Sequence, residues 1–300
     1  MAVAVGVDIG GTKVACGRVD DNGQCLDYAE LPSMPHDEEK MFLQVTECIR
    51  EVWPTTGASQ KPPVGIGVGV PGKVDAARGV AVMQNNLPWV NFPLRKRLRE
   101  RFSVDVILDN DVCMAAYGEW IERGGEREET FVYFTVSTGI ACCTIHKGEY
   151  LRGAGFAGEI GLVPFSGGDR LERKAAGPAI GGGGLSPREV MEAYRNGDTR
   201  VLQRVEDVLE EWARGVYALV SILDPHHLVL GGGVMNRNPF LLNEIRGKMD
   251  PLLLPVQKSV LNRLSLSRLG AKAGCVGAGL RMLNWSSDSG KGVSIWNQSR

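Results

Sequence analysis

The sequence predicts an α/β protein of about two domains. Its 300 residues are roughly twice the usual size of one domain. Short β-branched runs alternate with longer segments in which apolar residues recur every three or four positions. The composition is that of a globular protein with a real core, since 43% of residues are hydrophobic and 23% are charged.

Strands are predicted first along the chain. Residues 3–7, 14–19 and 25–31 are apolar runs, and the Asp-Asp-Asn-Gly segment at 20–23 has the composition of a tight turn. Glycine alternates with β-branched residues at 64–70, which predicts a further buried strand. Between them a helix is predicted from one apolar face, made of Met41, Val45, Cys48, Ile49 and Val52.

The same strand–turn–strand pattern recurs at 131–146, which indicates a weak internal duplication. The back half is more helical. Ser186 and Glu189 form a capping-box pattern at a helix start, and 199–223 has the period of a long amphipathic helix. A short strand at 228–230 and a last helix at 271–283 follow, whereas 286–300 is polar and is predicted to be disordered.

Charge and composition exclude several classes of protein. The 34 basic and 35 acidic residues give a net charge of −1, which removes the electrostatic reason to expect nucleic-acid or membrane partners. No apolar run approaches the ~20 residues that span a bilayer, and residues 1–11 make a poor signal peptide. The 7 cysteines form no CxxC pair, so we expect a cytoplasmic protein without a disulfide framework.

One glycine motif is a false match. Gly67, Gly69 and Gly72 fit GxGxxG after a strand, and Lys73 extends the match toward a P-loop. A P-loop needs Ser or Thr after the lysine, but Val74 stands there. A Rossmann motif needs a helix at the third glycine, and 73–79 has no apolar period. Both interpretations are therefore rejected.

Three turns at strand ends are candidate phosphate sites. Glycines let phosphate oxygens approach backbone N–H groups, and a nearby Asp could hold Mg²⁺ directly or through water. Each turn alone could equally be an ordinary tight turn, but three of them favour a phosphate-handling site. The candidate residues are Asp8, Gly10, Gly11, Thr12 and Lys13 in the first turn, Ser137, Thr138 and Gly139 in the second, and Gly231, Gly232 and Gly233 in the third.

Acidic residues supply the candidate chemistry. Asp111 follows a predicted strand and begins a helix, where an N-cap is the more ordinary role and a proton acceptor is the alternative. Glu159 lies between glycines and apolar residues, which favours contact with a ligand. Glu172 begins a predicted helix, where the helix dipole is a sufficient explanation. No role is assigned to the four histidines.

Eight segments in this order resemble the ROK family of sugar kinases, within the actin-like, hexokinase-type ATPase superfamily. The resemblance covers about residues 3–285. It depends on DIGGTK at 8–13, GVGVPGKVD at 67–75, NNLPW at 85–89, NDVCMAAYGE at 110–119, TVSTG at 135–139, AGEIG at 157–161, LERKAAGPAI at 171–180 and LVLGGGVM at 228–235.

The resemblance implies two RNase H-like α/β domains with a central cleft. The smaller would span 1–110 and be completed by the helix near 271–285, and the larger would span 111–270. DIGGTK and TVSTG would bind the phosphates of ATP, with Mg²⁺ at Asp8, and the glycines at 231–233 would face the base. Asp111 would be the general base rather than only a cap. The sugar-facing residues would be Gly72, Asn86, Asn110, Asp111, Glu159 and Glu172.

The chain departs from the family pattern at one place. The family's zinc-binding histidine is replaced by Leu162, and 163–170 has no Cys or His, so no structural zinc is expected. We expect packing of Pro164 and Phe165 to hold this loop instead. The family's repressors carry a DNA-binding domain ahead of DIGGT, and the motif here begins at residue 8, so no such domain is expected.

The expected function is therefore phosphorylation of a small-molecule sugar by ATP, at the 6-hydroxyl of glucose. An N-acylmannosamine or other N-acylhexosamine kinase is the alternative within the same chemistry. A sugar-responsive regulator without catalysis is the alternative from another class. A homodimer stays open.

Overall fold

The computed structural model describes residues 2–54, 62–84 and 86–289. The chain forms two compact units, of which the first comprises 1–124 with 272–300 and the second comprises 125–271. The helix that follows residue 110 belongs to the first unit. Asn85 of the NNLPW motif and the tail at 290–300 lie outside the described residues.

Strands form the centre of both units. They are β1 (Val3–Ile9), β2 (Lys13–Asp20), β3 (Cys25–Pro32), β4 (Gly65–Val70), β5 (Lys73–Asp75), β6 (Val80–Met83), β7 (Val90–Phe92), β8 (Asp105–Asn110), β9 (Thr130–Val136), β10 (Ile140–His146), β11 (Glu149–Tyr150), β12 (His227–Gly231) and β13 (Leu264–Leu266). Each strand predicted from the sequence is confirmed within a few residues, including β8, the strand predicted ahead of Asp111; β5–β7, β11 and β13 complete the set.

Helices cover the sheets. They are α1 (Glu38–Val52), α2 (Leu94–Phe102), α3 (Asp111–Glu122), α4 (Leu171–Ala175), α5 (Gly177–Ile180), α6 (Pro187–Arg195), α7 (Thr199–Leu223), α8 (Gly232–Arg237), α9 (Leu241–Met249), α10 (Val260–Arg263) and α11 (Ala273–Ser289). The predicted bounds of α7 are confirmed, and so is the capping box between Ser186 and Glu189 at the start of α6. Helix α11 extends to Ser289, so 286–289 is helical where disorder was predicted.

The two main sheets have the same topology, which confirms the predicted duplication of a supersecondary unit. The strand orders are β3-β2-β1-β4-β8 in the first unit and β11-β10-β9-β12-β13 in the second. In each sheet an antiparallel hairpin, β1–β2 or β9–β10, is followed by two parallel neighbours. Strands β5, β6 and β7 form a separate small sheet in the first unit.

Helix α11 packs unusually close to the sheet of the first unit. A Cβ at Gly6 or Gly67 would overlap the backbone of α11, at Cys275 and Ala278 respectively. Glycine is therefore required on β1 and β4 for the two backbones to approach so closely. The same helix packs against α3, which explains why α3 belongs to this unit although it follows residue 110.

The second unit is built around a long helix with large side chains. Trp212 of α7 is fully buried, and its indole N–H donates to the Ala175 carbonyl at 2.9 Å. Phe131 and Phe134 of β9 are fully buried as well. Helix α7 begins at Asp198, whose carboxylate accepts from the Arg200 amide, and ends at Asp224 in the left-handed conformation. Within the described residues, no helix is long and apolar enough to cross a membrane.

Candidate functional site

In the first unit, the carboxyl ends of three parallel strands gather the predicted residues. Asp8 of β1 pairs with Gly69 of β4, which pairs with Asp109 of β8. The chain leaves this edge of the sheet through the turn at 10–13, the turn at 71–72 and the start of α3. Ligands of open α/β sheets bind characteristically beyond the carboxyl ends of the strands.

Asn110 is the N-cap of α3, which corrects the assignment of that role to Asp111. The Asn110 side-chain oxygen accepts hydrogen bonds from the amides of Val112 at 3.0 Å and Cys113 at 3.3 Å. Its amide nitrogen donates to the Gly72 carbonyl at 3.2 Å, so it also ties the turn after β4 to this helix. Asp111 is the first helical residue, so it follows the N-cap position, and it is partly exposed.

The turn after β1 is held by its own backbone and by Ser33. The Gly10 amide donates to the Lys13 carbonyl at 2.9 Å, and the Ser33 hydroxyl donates to the Gly10 carbonyl at 2.6 Å. Gly11 faces Asn86, because a Cβ on Gly11 would lie 2.8 Å from that of Asn86. The structure therefore brings a predicted sugar-facing residue against the predicted phosphate turn, with Thr12 exposed at its tip.

Lys13 does not join this turn. Its ammonium is paired with the carboxylate of Glu30 on β3, and the Tyr28 hydroxyl donates to the same carboxylate. The pairing of β2 with β3 therefore holds the Lys13 ammonium at Glu30. This partner was missed in the sequence, because an ion pair across a strand pair depends on the register, in which Ala15 faces Glu30.

Asp8 is electrostatically unusual. Burial raises the pKa of its carboxyl to about 6, although the nearby Lys13 charge opposes that shift. Gly274, at the start of α11, lies so close that a Cβ there would overlap the Asp8 carboxylate. None of the described residues donates a hydrogen bond to this carboxylate, so it is open to a cation or to bound water.

In the second unit, the other two predicted turns lie side by side. The Ser137 amide donates to the Gly139 carbonyl at 2.9 Å, and the Ser137 carbonyl accepts from Gly177 at 2.7 Å, while the side chains of Ser137 and Thr138 are exposed. Gly232 packs against β9, because a Cβ there would lie 2.5 Å from the Thr135 hydroxyl. Its φ of 87° also requires glycine.

Glu172 adjoins the Ser-Thr-Gly turn, and Glu159 lies near Glu172. The Glu172 Oε2 lies 3.6 Å from the point where Gly139 would carry a Cβ, and the Glu172 Cβ lies 3.3 Å from that of Gly161. Glu159 is exposed, but partial burial of its carboxyl and then the charge of Glu172 raise its pKa. The two side chains are thus close enough to interact, and a hydroxyl-rich ligand could bridge them.

A cavity of about 450 Å³ lies beside the glycines at 231–233. Apolar side chains of α5, α6 and α8 form part of its wall, and three arginines and one glutamate form the rest. The lining residues are Ile180, Pro187, Arg188, Met191, Glu192, Arg195, Gly233, Val234, Arg237 and Asn238. Ile180, Gly233 and Val234 lie in motifs quoted from the sequence, whereas the arginines and Glu192 were not singled out, since only their helical placement gathers them.

The described residues contain no group of three or more His, Cys, Asp or Glu side chains that could hold a metal ion. The Asp8 carboxylate fits one ligand position of a magnesium ion, which commonly takes one or two carboxylates and keeps several waters. The loop at 163–170 is held in part by Phe165, which packs against the core as expected, whereas Pro164 is exposed.

The chain is similar in sequence to a known protein family. A model of the ROK family matches residues 4–283 of the chain. The glucokinase of Streptomyces coelicolor is 28% identical over 314 residues, which cover 93% of this chain and 96% of that protein. The xylose repressor of Caldicellulosiruptor bescii is 24% identical over 275 residues, which cover 81% of this chain and 68% of the repressor.

A solved structure is similar over nearly the whole chain. It is a ROK family glucokinase from Streptomyces griseus in complex with glucose and AMPPNP. The TM-score is 0.79 with 25% sequence identity, and the match covers 92% of this chain and 98% of the other. This similarity, together with the two matching sheets, confirms the predicted α/β fold with two actin-like domains.

Proposed function

Because this chain belongs to the ROK family, we propose that it is an ATP-dependent sugar kinase whose acceptor is the 6-hydroxyl of glucose. One observation carries the proposal. Asp111, Asn110, Gly72 and Asp8 lie together at the carboxyl edge of the first sheet, where a carboxylate can meet both a hydroxyl and a phosphate. The glucokinases to which the chain is similar support the same reaction.

Asp111 is the proposed general base. A hydroxyl becomes a nucleophile when a carboxylate within hydrogen-bond reach accepts its proton. Asn110 fixes the start of α3 through two amide hydrogen bonds and fixes the turn at Gly72 through a third. These bonds hold the Asp111 backbone, so its carboxylate needs little reorganisation when it accepts the proton.

Phosphate binding is assigned to the two turns. The amides of Gly10 and Ser137 hold the shape of the two turns. The amides of Gly11, Thr12, Thr138 and Gly139, with the hydroxyls of Thr12, Ser137 and Thr138, would donate to the phosphates. Mg²⁺ bound near Asp8 would neutralise charge on the phosphates. The proposed role of Asp8 is to hold that ion through an ionised carboxylate, and its pKa of about 6 leaves it ionised at neutral pH.

Glu159 and Glu172 are assigned to the hydroxyls of the sugar. Their carboxylates accept two hydrogen bonds each, and a vicinal pair of hydroxyls donates in that geometry. Hydroxyl hydrogen bonds would also offset the partial burial and the charge of Glu172, which together raise the pKa of Glu159. Asn86, beside Gly11, is assigned to the same substrate.

The cavity beside the glycines at 231–233 is assigned to the adenine base. Met191, Val234 and Ile180 offer an apolar wall to a flat ring, and the arginines at its rim offer stacking surfaces and charge. Use of ATP favours the cytoplasm as the location of the protein.

A panel assay tests the proposal. ADP release is measured with glucose, mannose, N-acetylglucosamine and N-acetylmannosamine, each with ATP and Mg²⁺. The proposal expects the highest kcat/KM with glucose. A preference for an N-acylated sugar would replace the acceptor but keep the chemistry. Sugar binding by calorimetry with no ADP release from any sugar would favour a regulator, in line with the similarity to a xylose repressor.

A further inference from the structure

The loop at 163–170 joins the segments that carry Glu159 and Glu172. It begins just after the 3-10 turn Ile160–Leu162, which follows Glu159, and it ends at α4, whose second residue is Glu172. Gly167 and Gly168 have φ values of 65° and 81°, and Pro164 is exposed. The distance between the two carboxylates therefore depends on how this loop and α4 are held.

A polar network ties the loop and α4 to α7. The Ser166 hydroxyl donates to the carboxylate of Glu211, which is 6% exposed and lies on α7. Lys174 of α4 donates to the Ser166 carbonyl and, at 2.9 Å, to its hydroxyl. The Lys174 ammonium lies 3.4 Å from the Glu211 carboxylate. Three segments thus meet at one ion pair, in which Glu211 is buried and Lys174 is partly exposed.

Helix α4 cannot set its own orientation. It has five residues, far fewer than the ~12–15 at which an isolated helix becomes even marginally stable. Its other contacts with α7 are the Ala175 carbonyl on Trp212 and the packing of Leu171, whose Cδ2 lies 3.1 Å from where Gly215 would carry a Cβ. Those contacts hold α4 against α7. The Leu171 amide ties the start of α4 to the Val163 carbonyl at 3.0 Å, and Lys174 and Glu211 hold the middle of the loop at Ser166.

The Lys174–Glu211 ion pair is expected to add little to the free energy of unfolding. Burying two charges costs desolvation energy that is recovered only when every polar atom is satisfied. The Glu211 Oε2 is buried and accepts no hydrogen bond from the described residues. An apolar pair of similar volume would fill this place at equal or higher stability. It would not, however, hold Ser166 by directed hydrogen bonds.

We propose that Lys174 and Glu211 are positioning residues for the acceptor site: by anchoring Ser166 they set Glu172 relative to Glu159. This inference depends on the proposed function, in which those two carboxylates bind the sugar. It concerns acceptor binding and leaves the nucleotide cavity, which has none of these residues in its wall, unaffected.

The test is the double variant Lys174→Met/Glu211→Leu, which removes both charges together and leaves neither one unpaired. We expect the acceptor KM to rise roughly tenfold or more, since misplacement of binding groups by about 1 Å has effects of that size. The KM for ATP should change less than about twofold, and the urea midpoint of unfolding should stay equal or rise. An unchanged acceptor KM in the folded double variant would overturn the inference.

Two further variants sharpen the test. Arg173→Met is the matched control, because Arg173 is adjacent and its pair with Asp169, at 3.6 Å, is exposed; its acceptor KM should equal that of the wild type. The charge swap Lys174→Glu/Glu211→Lys should recover part of the acceptor affinity lost in Lys174→Glu alone, and absence of any recovery would also count against the inference.

Failure of the proposed function would give a different result. In that case the wild type transfers no phosphoryl group, and the sugar Kd from calorimetry replaces the KM. The same order of variants is expected in Kd. A wild type that binds sugar without turnover would reject the kinase, whereas equal Kd values for wild type and double variant would reject the positioning role.

Discussion

The two sheets share one strand order but carry different chemistry at equivalent places. The hairpin β1–β2 ends in a turn flanked by the charged Asp8 and Lys13, whereas the hairpin β9–β10 ends in the uncharged Ser137–Gly139 turn. In the second unit the charge is supplied from outside the repeat, by Glu159 and Glu172. The two units therefore share the hairpin turn, whereas the acidic residues near it come from different parts of the chain.

The packing of the two units differs as well. In the first, glycines bring α11 into backbone contact with β1, β4 and α3. In the second, α7 packs through large side chains such as Trp212. Substitutions that enlarge a side chain at these glycines should thus destabilise the first unit, and substitutions that shorten a buried side chain should destabilise the second.

The largest expected effect concerns Asp111, the first residue of α3 in the first unit. Asp111→Asn should lower kcat by roughly 10²–10⁴-fold, which is the usual contribution of a positioned general base. Sugar affinity and the fold should be retained, because Asn110 provides the cap. Steady-state kinetics and calorimetry provide the measurements.

Asp105→Asn is the matched control for that variant. Asp105 is the first residue of β8, the strand that leads into α3; it is exposed and lies 3.4 Å from Arg99. Its kcat should match that of the wild type. Equal kcat values for the two variants would remove Asp111 from the mechanism.

Close backbone packing of α11 is tested by adding one methyl group. A Cβ on Gly277 would overlap the Met114 carbonyl of α3. Gly277→Ala should therefore lower the free energy of unfolding by about 3 kcal/mol, as overpacking does. Gly247→Ala is the control, since no atom lies within 4 Å of that position in α9. It should raise stability by about 0.5–1 kcal/mol; equal losses in both variants would contradict the difference in packing. Chemical denaturation gives both values.

The raised pKa of Asp8 predicts that its ionised carboxylate lowers folding stability at neutral pH. A carboxyl whose pKa is raised on folding, here from 3.8 to about 6, favours the folded state below pH 3.8 and loses that advantage as the pH rises through 6. Asp8→Asn should therefore raise the free energy of unfolding at pH 7–8 by roughly 1–3 kcal/mol and change it little near pH 3.5.

Activity should respond in the opposite direction. The wild type should lose activity as the pH falls through about 6, where Asp8 becomes protonated, and Asp8→Asn should be nearly inactive at all pH values. A variant that is no more stable at pH 8 than the wild type would show that burial of Asp8 carries no penalty.

The smallest expected effect is that of chelation on the fold. The loop at 163–170 contains no Cys or His, so EDTA should shift Tm by less than about 1 °C if no structural metal is lost. Activity should vanish and return with added Mg²⁺ alone. About one zinc per chain by elemental analysis, or a large loss of Tm, would contradict this part of the interpretation.

Local signals predicted the repeated strands, α7 and the capping box at Ser186, because period and turn composition act over a few residues. The same reasoning failed at Asp111. Both Asn110 and Asp111 are good caps, and only the backbone conformation decides which residue precedes the first helical turn. Proximity of Gly11 to Asn86 is likewise invisible without the fold.

Contacts between distant segments account for the remaining differences. The packing of α11 on α3 joins residues about 160 positions apart, so no signal near residue 110 shows that α3 belongs with the first unit. The Lys174–Glu211 pair joins α4 to α7, and the Lys13–Glu30 pair depends on strand register. No periodicity within one segment encodes such pairs.

Transfer of label from [γ-³²P]ATP tests the central claim most directly. With glucose and Mg²⁺, the wild-type chain should move the label into a sugar phosphate, with little released as inorganic phosphate, and Asp111→Asn should move almost none. Label that appears only as inorganic phosphate, or that stays in ATP with every sugar of the panel while sugar still binds, would contradict a sugar kinase.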